Sequence, residues 1–158
     1  MRTTTRPAIA IGILGATLLL GGCSPTVALQ PAPDAVNTVC AQVVVGLPET
    51  VAGLDQRKTD AQGTSAWGDP AAIRLWCGVN VPPPTAEFPC YNVDGVDWLV
   101  DDTAAPRYVF TTYGRDPAIE VNVDYDLASG SETLKDLAFA VSVSPKEREC
   151  VSAEDVFE

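Results

Sequence analysis

The chain has 158 residues, with 21 acidic against 10 basic side chains, a formal net charge of −11 and no histidine. That length suits one domain, and the acidity argues against nucleic acid or anionic headgroups as partners. Without an imidazole there is no Ser–His or Cys–His pair and no histidine ligand, so the common hydrolase and zinc chemistries are closed.

Arg2 and Arg6 precede an uncharged run from Ala8 to Leu20, which leads through Gly21-Gly22 into Cys23. A basic start, a short apolar run and small residues before a cysteine form a bacterial lipoprotein signal. A spanning helix needs about 20 apolar residues, and this run is shorter. The pattern predicts that residues 1–22 are removed and that Cys23 is lipidated, with palmitate among the acyl groups expected. The mature chain would then hang from the extracytoplasmic face of the cell membrane. Residues 23–33 contain three prolines and no charge, and read as a lipid-anchored flexible linker.

A single domain is expected over 34–145. Asp34 is placed to cap a helix over 35–46, where Val36, Val39, Cys40, Val43 and Val44 fall at helical spacing and Gly46 and Pro48 end it. Residues 49–66 are polar and glycine-containing, and read as a turn followed by a surface loop that runs on through Trp67. Ile73–Val79 alternates as a strand until Pro82, Pro83 and Pro84. Tyr91–Val100 carries Asp94-Gly95 at its centre, the strongest short hairpin signal. Tyr108–Tyr113 and Ala118–Leu127 read as two more strands, joined by a turn at Gly114-Arg115-Asp116-Pro117. Ser131 is placed to cap a second helix over 132–141, with Leu134, Leu137, Ala138 and Val141 on one face. Residues 146–158 form an acidic tail that frays unless Cys150 ties it down. The order predicts an α+β fold: a small antiparallel sheet of four to five strands, with an N-terminal and a C-terminal helix on one face.

With Cys23 lipidated, Cys40, Cys77, Cys90 and Cys150 remain. Four cysteines in an exported chain predict two disulfides, with three pairings open, including the local Cys77–Cys90 across the proline loop. No C-x-x-C is present, and neither metal nor cofactor is expected.

Carboxylates are the remaining route to catalysis. Asp94, Asp97, Asp101 and Asp102 cluster around the hairpin, and Asp97 with Asp101 or Asp102 is the pair that would run glycoside hydrolysis. Glu120, Asn122, Asp124 and Asp126 recur every second residue, which reads as the polar outer face of a half-exposed strand. The calcium-loop pattern fails there, since Leu127 and Thr133 stand at its glycine and glutamate positions. Trp98 is in phase with Val96 and Val100 and reads as core. Trp67, assigned to a loop beside Asp69, is the better candidate for a sugar-stacking platform. With the isolated cations Arg74 and Arg115 and with Asp97, these residues form the predicted binding cluster. In it Arg115 pairs with Asp69 or Asp97 beside Trp67.

Leu47-Pro48, Val51-Ala-Gly53, Ala66-Trp-Gly-Asp-Pro70, Cys77-Gly-Val79, Gly95-Val-Asp-Trp98 and Tyr113-Gly-Arg115 occur in that order. In this ordered set, spanning about residues 40 to 141, the chain resembles the actinobacterial domain-of-unknown-function 3515 family of secreted lipoproteins. The resemblance implies location and shape, and no activity. It also implies the pairing Cys40–Cys77 and Cys90–Cys150. Taken with the residues, it leads to the expectation of a monomeric, non-catalytic binding or accessory module of the cell envelope. Its partner would be a cell-wall glycan or an envelope protein. The alternative is a carboxylate-based cell-wall glycan hydrolase.

Overall fold

A computed structural model describes residues 25–84 and 87–150. The signal segment 1–22, Cys23 and tail residues 151–158 lie outside the described residues. The order is α1 (Thr38–Gly46), β1 (Thr50–Val51), β2 (Leu54–Arg57), β3 (Thr64–Trp67), β4 (Ile73–Val79), β5 (Cys90–Val93), β6 (Val96–Asp101), β7 (Arg107–Thr112), β8 (Ala118–Asp124) and α2 (Gly130–Val141). All strand pairs are antiparallel, in the spatial order β1-β2-β3-β4-β8-β7-β6-β5. The α+β class holds, and the sheet has eight strands instead of four to five.

The additional strands β1, β2 and β3 come from the segment read as a loop. β1 has two residues and β2 buries none of its four, so neither can show an alternating apolar pattern, and in β3 small polar groups fill buried positions. Thr64, Ser65, Ala66 and Trp67 are all buried. The Thr64 hydroxyl donates to the Ala61 carbonyl at 2.6 Å, and the Gln56 amide donates to the Ser65 hydroxyl at 2.8 Å. The β1–β2 turn is made by Ala52 and Gly53, both at positive φ (48° and 76°). Alanine in that conformation hides a primed hairpin turn from sequence inspection. The predicted hairpin at Asp94-Gly95 is present between β5 and β6, with φ of 48° and 82°.

Alternation then sorts the side chains. Trp67, Ile73, Leu75, Cys77, Trp98, Phe110, Val121 and Val123 share the inner face and join the core beneath the helices. Both helix starts differ from expectation. The Asn37 side chain caps α1 by accepting from the Val39 N–H at 3.0 Å. Asp34 is instead fixed in the preceding turn, its N–H donating to the Gly78 carbonyl at 2.9 Å and its carboxylate accepting from the Asn37 amide at 2.8 Å. Ser129, not Ser131, caps α2. The last strand stops at Asp124, whose carboxylate accepts from the Asp126 N–H at 3.1 Å and turns the chain away.

Disulfides join Cys40 to Cys77, tying α1 to β4, and Cys90 to Cys150, tying the edge strand β5 to the tail. This is the pairing that the family resemblance implies. Residues 25–30 are tied to the domain by hydrogen bonds, which corrects the flexible-linker expectation over that stretch. The Val27 N–H donates to the Lys58 carbonyl at 2.8 Å, and the Leu29 N–H to the Asp60 carboxylate at 2.8 Å. The Trp76 indole donates to the Gln30 carbonyl at 3.1 Å, and Arg57 donates to the Pro25 carbonyl at 2.7 Å.

One connection shapes the outer face. β4 and β5 are separated by β8, β7 and β6, so loop 80–89 must bridge about 19 Å of sheet, at roughly 4.8 Å per strand. Three consecutive prolines keep it extended for that crossing.

Candidate functional site

Beneath that loop lies a cleft of about 280 Å³. Register puts Arg74, Asn122, Val109 and Asp101 in one outer-face row and Trp76, Glu120, Thr111 and Leu99 in the next. Pro82, Pro83 and Phe88 roof the cleft, Leu99, Val109 and Thr111 floor it, and Glu120, Asp101 and Glu87 bring carboxylates to it. Burial raises the Glu120 carboxyl above the ordinary glutamate value, while the Asn122 amide, donating at 3.3 Å, opposes the shift. Asp101 goes the other way. The Thr103 hydroxyl at 2.6 Å and the Thr103 N–H at 2.9 Å both donate to it and hold it low. Two carboxyl groups whose pKa values are shifted in opposite directions therefore border one partly apolar space.

A second cleft, of about 220 Å³, opens on the inner face beside the first turn of α2. Tyr91, Trp98, Tyr108, Phe110 and Tyr125 line it, together with Ser131. Tyr108 and Tyr125 stack with ring centroids 4.0 Å apart.

The predicted binding cluster does not assemble. Trp67 is fully buried on the inner face, its indole donating to the Pro48 carbonyl at 3.1 Å, so it is core and offers no platform. Asp69 pairs with Arg57 at 3.0 Å. Arg74 stands on the outer face, across the sheet from Trp67. Asp97 and Arg115 lie near each other at the far end. Asp97, 3% exposed, accepts from the Asn92 amide at 2.7 Å and pairs with Lys146 at 3.1 Å. The Arg115 guanidinium donates to the carbonyls of Ser142, Ser144 and Gly95. Its desolvation lowers its pKa, opposed by the charge of Asp97. The expected Arg115–Asp69 or Arg115–Asp97 bridge is replaced by bonds to backbone. Asp97 is sealed by the tail, and among the four hairpin aspartates only Asp101 lines the outer cleft.

The family described as "Protein of unknown function (DUF3515)" has a model that matches residues 8–150. The chain belongs to that family. No curated protein and no solved structure matches it. In this DUF3515 chain most residues that line the clefts were read from sequence as strand positions or strand terminators, with Asp101 read as one of the hairpin carboxylates and Ser131 and Leu134 as the cap and face of a helix. Pro82, Pro83 and Phe88 gained a role from the loop's route over the sheet, and Glu120 from the register that sets it beside Thr111. The one usable signal was the polar alternation from Glu120, which located the outer face without revealing its cover.

Proposed function

We propose that this protein is a lipid-anchored, non-catalytic binding module on the extracytoplasmic face of an actinobacterial membrane. Its outer-face cleft would hold a segment of an envelope protein in which a basic side chain adjoins an apolar one. The observation that carries this reading is the cleft itself, where an apolar floor and roof meet carboxylates in a chain of net charge −11. Anchorage at Cys23 would leave Ser24 alone between the lipid and Pro25, which Arg57 fastens to the domain. Such a module would sit directly on the membrane surface.

The test is binding of short acetylated peptides with lysine or arginine next to leucine or phenylalanine, against matched acidic peptides. Selection of the basic set by the wild type, lost in the Glu120→Gln/Asp101→Asn double variant, is the expected result. Equal binding of both sets, or of neither, would count against the reading. The anchor has its own test: Cys23→Ala should move the protein from the membrane fraction to the medium or leave an uncleaved precursor.

A second reading keeps the hydrolase alternative, with Glu120 as proton donor and Asp101 as the ionised partner in place of Asp97. It draws on the opposite pKa directions of these two groups. Turnover of cell-wall glycan that Glu120→Gln abolishes would favour it. An inert wild type would dismiss it.

A further inference from the structure

The surface around α1 differs in chemistry from the acidic chain that carries it. Between Pro25 and Pro48 the only charged side chain is Asp34, and its carboxylate accepts from the Asn37 amide. A surface helix normally turns a charged face to water. α1 has no charged residue and instead turns out Ala41, Gln42 and Val45, the last of them 86% exposed. Ala41 and Val45, four residues apart, share one flank of the helix. Between that flank and the β2–β3 connection runs a groove of about 400 Å³, lined by Ala41, Val44, Val45, Thr59, Ala61 and Thr64 among others and by no charged side chain. Its hydroxyls are already spent on the groove itself. Those of Thr59 and Thr64 bond each other at 2.8 Å, and Thr64 donates to the Ala61 carbonyl.

Position indicates what covers this flank. Val27 bridges to Thr59, a groove residue. Cys23 precedes Val27 by four residues, at most about 14 Å of chain. Bonds at Pro25, Val27, Leu29 and Gln30 fasten the lead to the domain, so a lipid on Cys23 would fix which side of the domain meets the membrane. That side holds the groove. A net charge of −11 repels anionic headgroups over most of the molecule, whereas an uncharged flank can enter the interface without stripping water from a charge. Of the two charges beside Thr59, Asp60 accepts from the Leu29 N–H, and exposed Lys58 suits an anionic surface. So small a flank would hold a bilayer weakly by itself. An anchor supplies the local concentration at which a weak contact persists.

We infer that the flank of α1 and its groove are a membrane-contact face, with Ala41 and Val45 set into the interfacial layer of the bilayer that holds the Cys23 lipid. This rests on the anchor of the proposed function and adds to it the side on which the domain lies. The outer-face cleft is built on β8, β7 and β6, three to five strand spacings from β2, or roughly 14 to 24 Å at about 4.8 Å each. Contact on the β2 side therefore leaves that cleft open to a partner.

The test uses the acylated chain in phosphatidylcholine nanodiscs, spin-labelled at Ala41→Cys or Val45→Cys. A label at Tyr91→Cys, an exposed position on the opposite edge strand, serves as the control. Power-saturation electron paramagnetic resonance should find the labels at 41 and 45 more accessible to oxygen than to a polar nickel chelate, and the label at 91 the reverse. Adding Val45→Asp should return the label at 41 to water. Water-like accessibility at both α1 positions, in chains that mass spectrometry shows to be acylated, would overturn this face and leave the anchor standing. So would a label at 41 that Val45→Asp leaves unmoved. Chains recovered without acyl groups would overturn the anchor and this face together. A label at 45 that oxygen never favours, and that is immobilised only as protein concentration rises, would assign the flank to a second copy of the chain instead.

Discussion

Arg115 and Glu120 show how two isolated charges acquire opposite energetic roles. The Arg115 guanidinium closes the backbone just after α2 by serving the carbonyls of Ser142 and Ser144, and reaches the Gly95 carbonyl in the hairpin turn. Removing it leaves buried acceptors unpaired, so Arg115→Ala should lower unfolding stability in urea by about 3 kcal/mol. Arg115→Lys should recover only part, because one ammonium cannot span the fork. Glu120 works in the other sense. Its raised pKa comes first from burial, so its ionised form penalises the folded state. That cost is present at neutral pH, falls as pH drops through the raised folded pKa, and is gone below the ordinary value of 4.5. Glu120→Gln should therefore raise the melting temperature at pH 7, with the gain vanishing below about pH 4.5. A constant gain across that range would mean that desolvation is not the cause.

At the scale of elements, two bridges and two caps fix what short helices cannot hold alone. The Cys40–Cys77 bridge closes 37 residues of separation and holds α1 on the central strand β4. Chain entropy puts that constraint at about 4 kcal/mol. The Cys40→Ala/Cys77→Ala variant should lose stability of that order in denaturant melts. The Cys90–Cys150 bridge acts on a tail that is already fastened. The Glu147 and Arg148 N–H groups donate to the Gly114 carbonyl, and Lys146 pairs with Asp97. In Cys90→Ala/Cys150→Ala, hydrogen exchange should stay slow at Glu147 and quicken only beyond it. Rapid exchange at Glu147 would show that the bridge, and not the Gly114 carbonyl, orders the tail. Asn37→Ala should cost about 1 kcal/mol through loss of the α1 cap, whereas Asp34→Ala should spare the helix.

For the whole molecule, the segments at both ends of the described residues, 25–33 and 145–150, are parts of the domain. The N-terminal lead runs beside the β2–β3 connection through Val27 and Thr59, and the tail bridges to Arg115 through Lys146. Val27→Pro removes the N–H that donates to the Lys58 carbonyl. It should lower the melting temperature and speed exchange at Leu29, where a free tether would show neither effect. Loop 80–89 has the same global character. It crosses three strands to reach the far edge, and by doing so turns a half-exposed sheet face into a cleft.

Local chemistry was enough for part of this. The 3.6-residue and two-residue periodicities announced α1, α2 and the strands around Ile73, Trp98, Tyr108 and Val121, because one buried face imposes its spacing on the residues that fill it. Asp94-Gly95 announced its turn, because few dipeptides accept two positive φ angles. β1, β2 and β3 gave no such signal, since Thr64 and Ser65 are buried by hydrogen bonds and Ala52 occupies a position that sequence rules give to glycine or asparagine. The candidate sites were beyond reach for another reason. Trp67 lies inside and Arg74 outside the same sheet, Asp97 is shut in by a tail 49 residues further on, and Glu120 meets Phe88 only because the β4–β5 connection crosses between them. Spacing along a chain fixes which face a side chain takes. Which faces meet, and what covers them, is decided by strand order and register, and those depend on contacts that no local stretch contains.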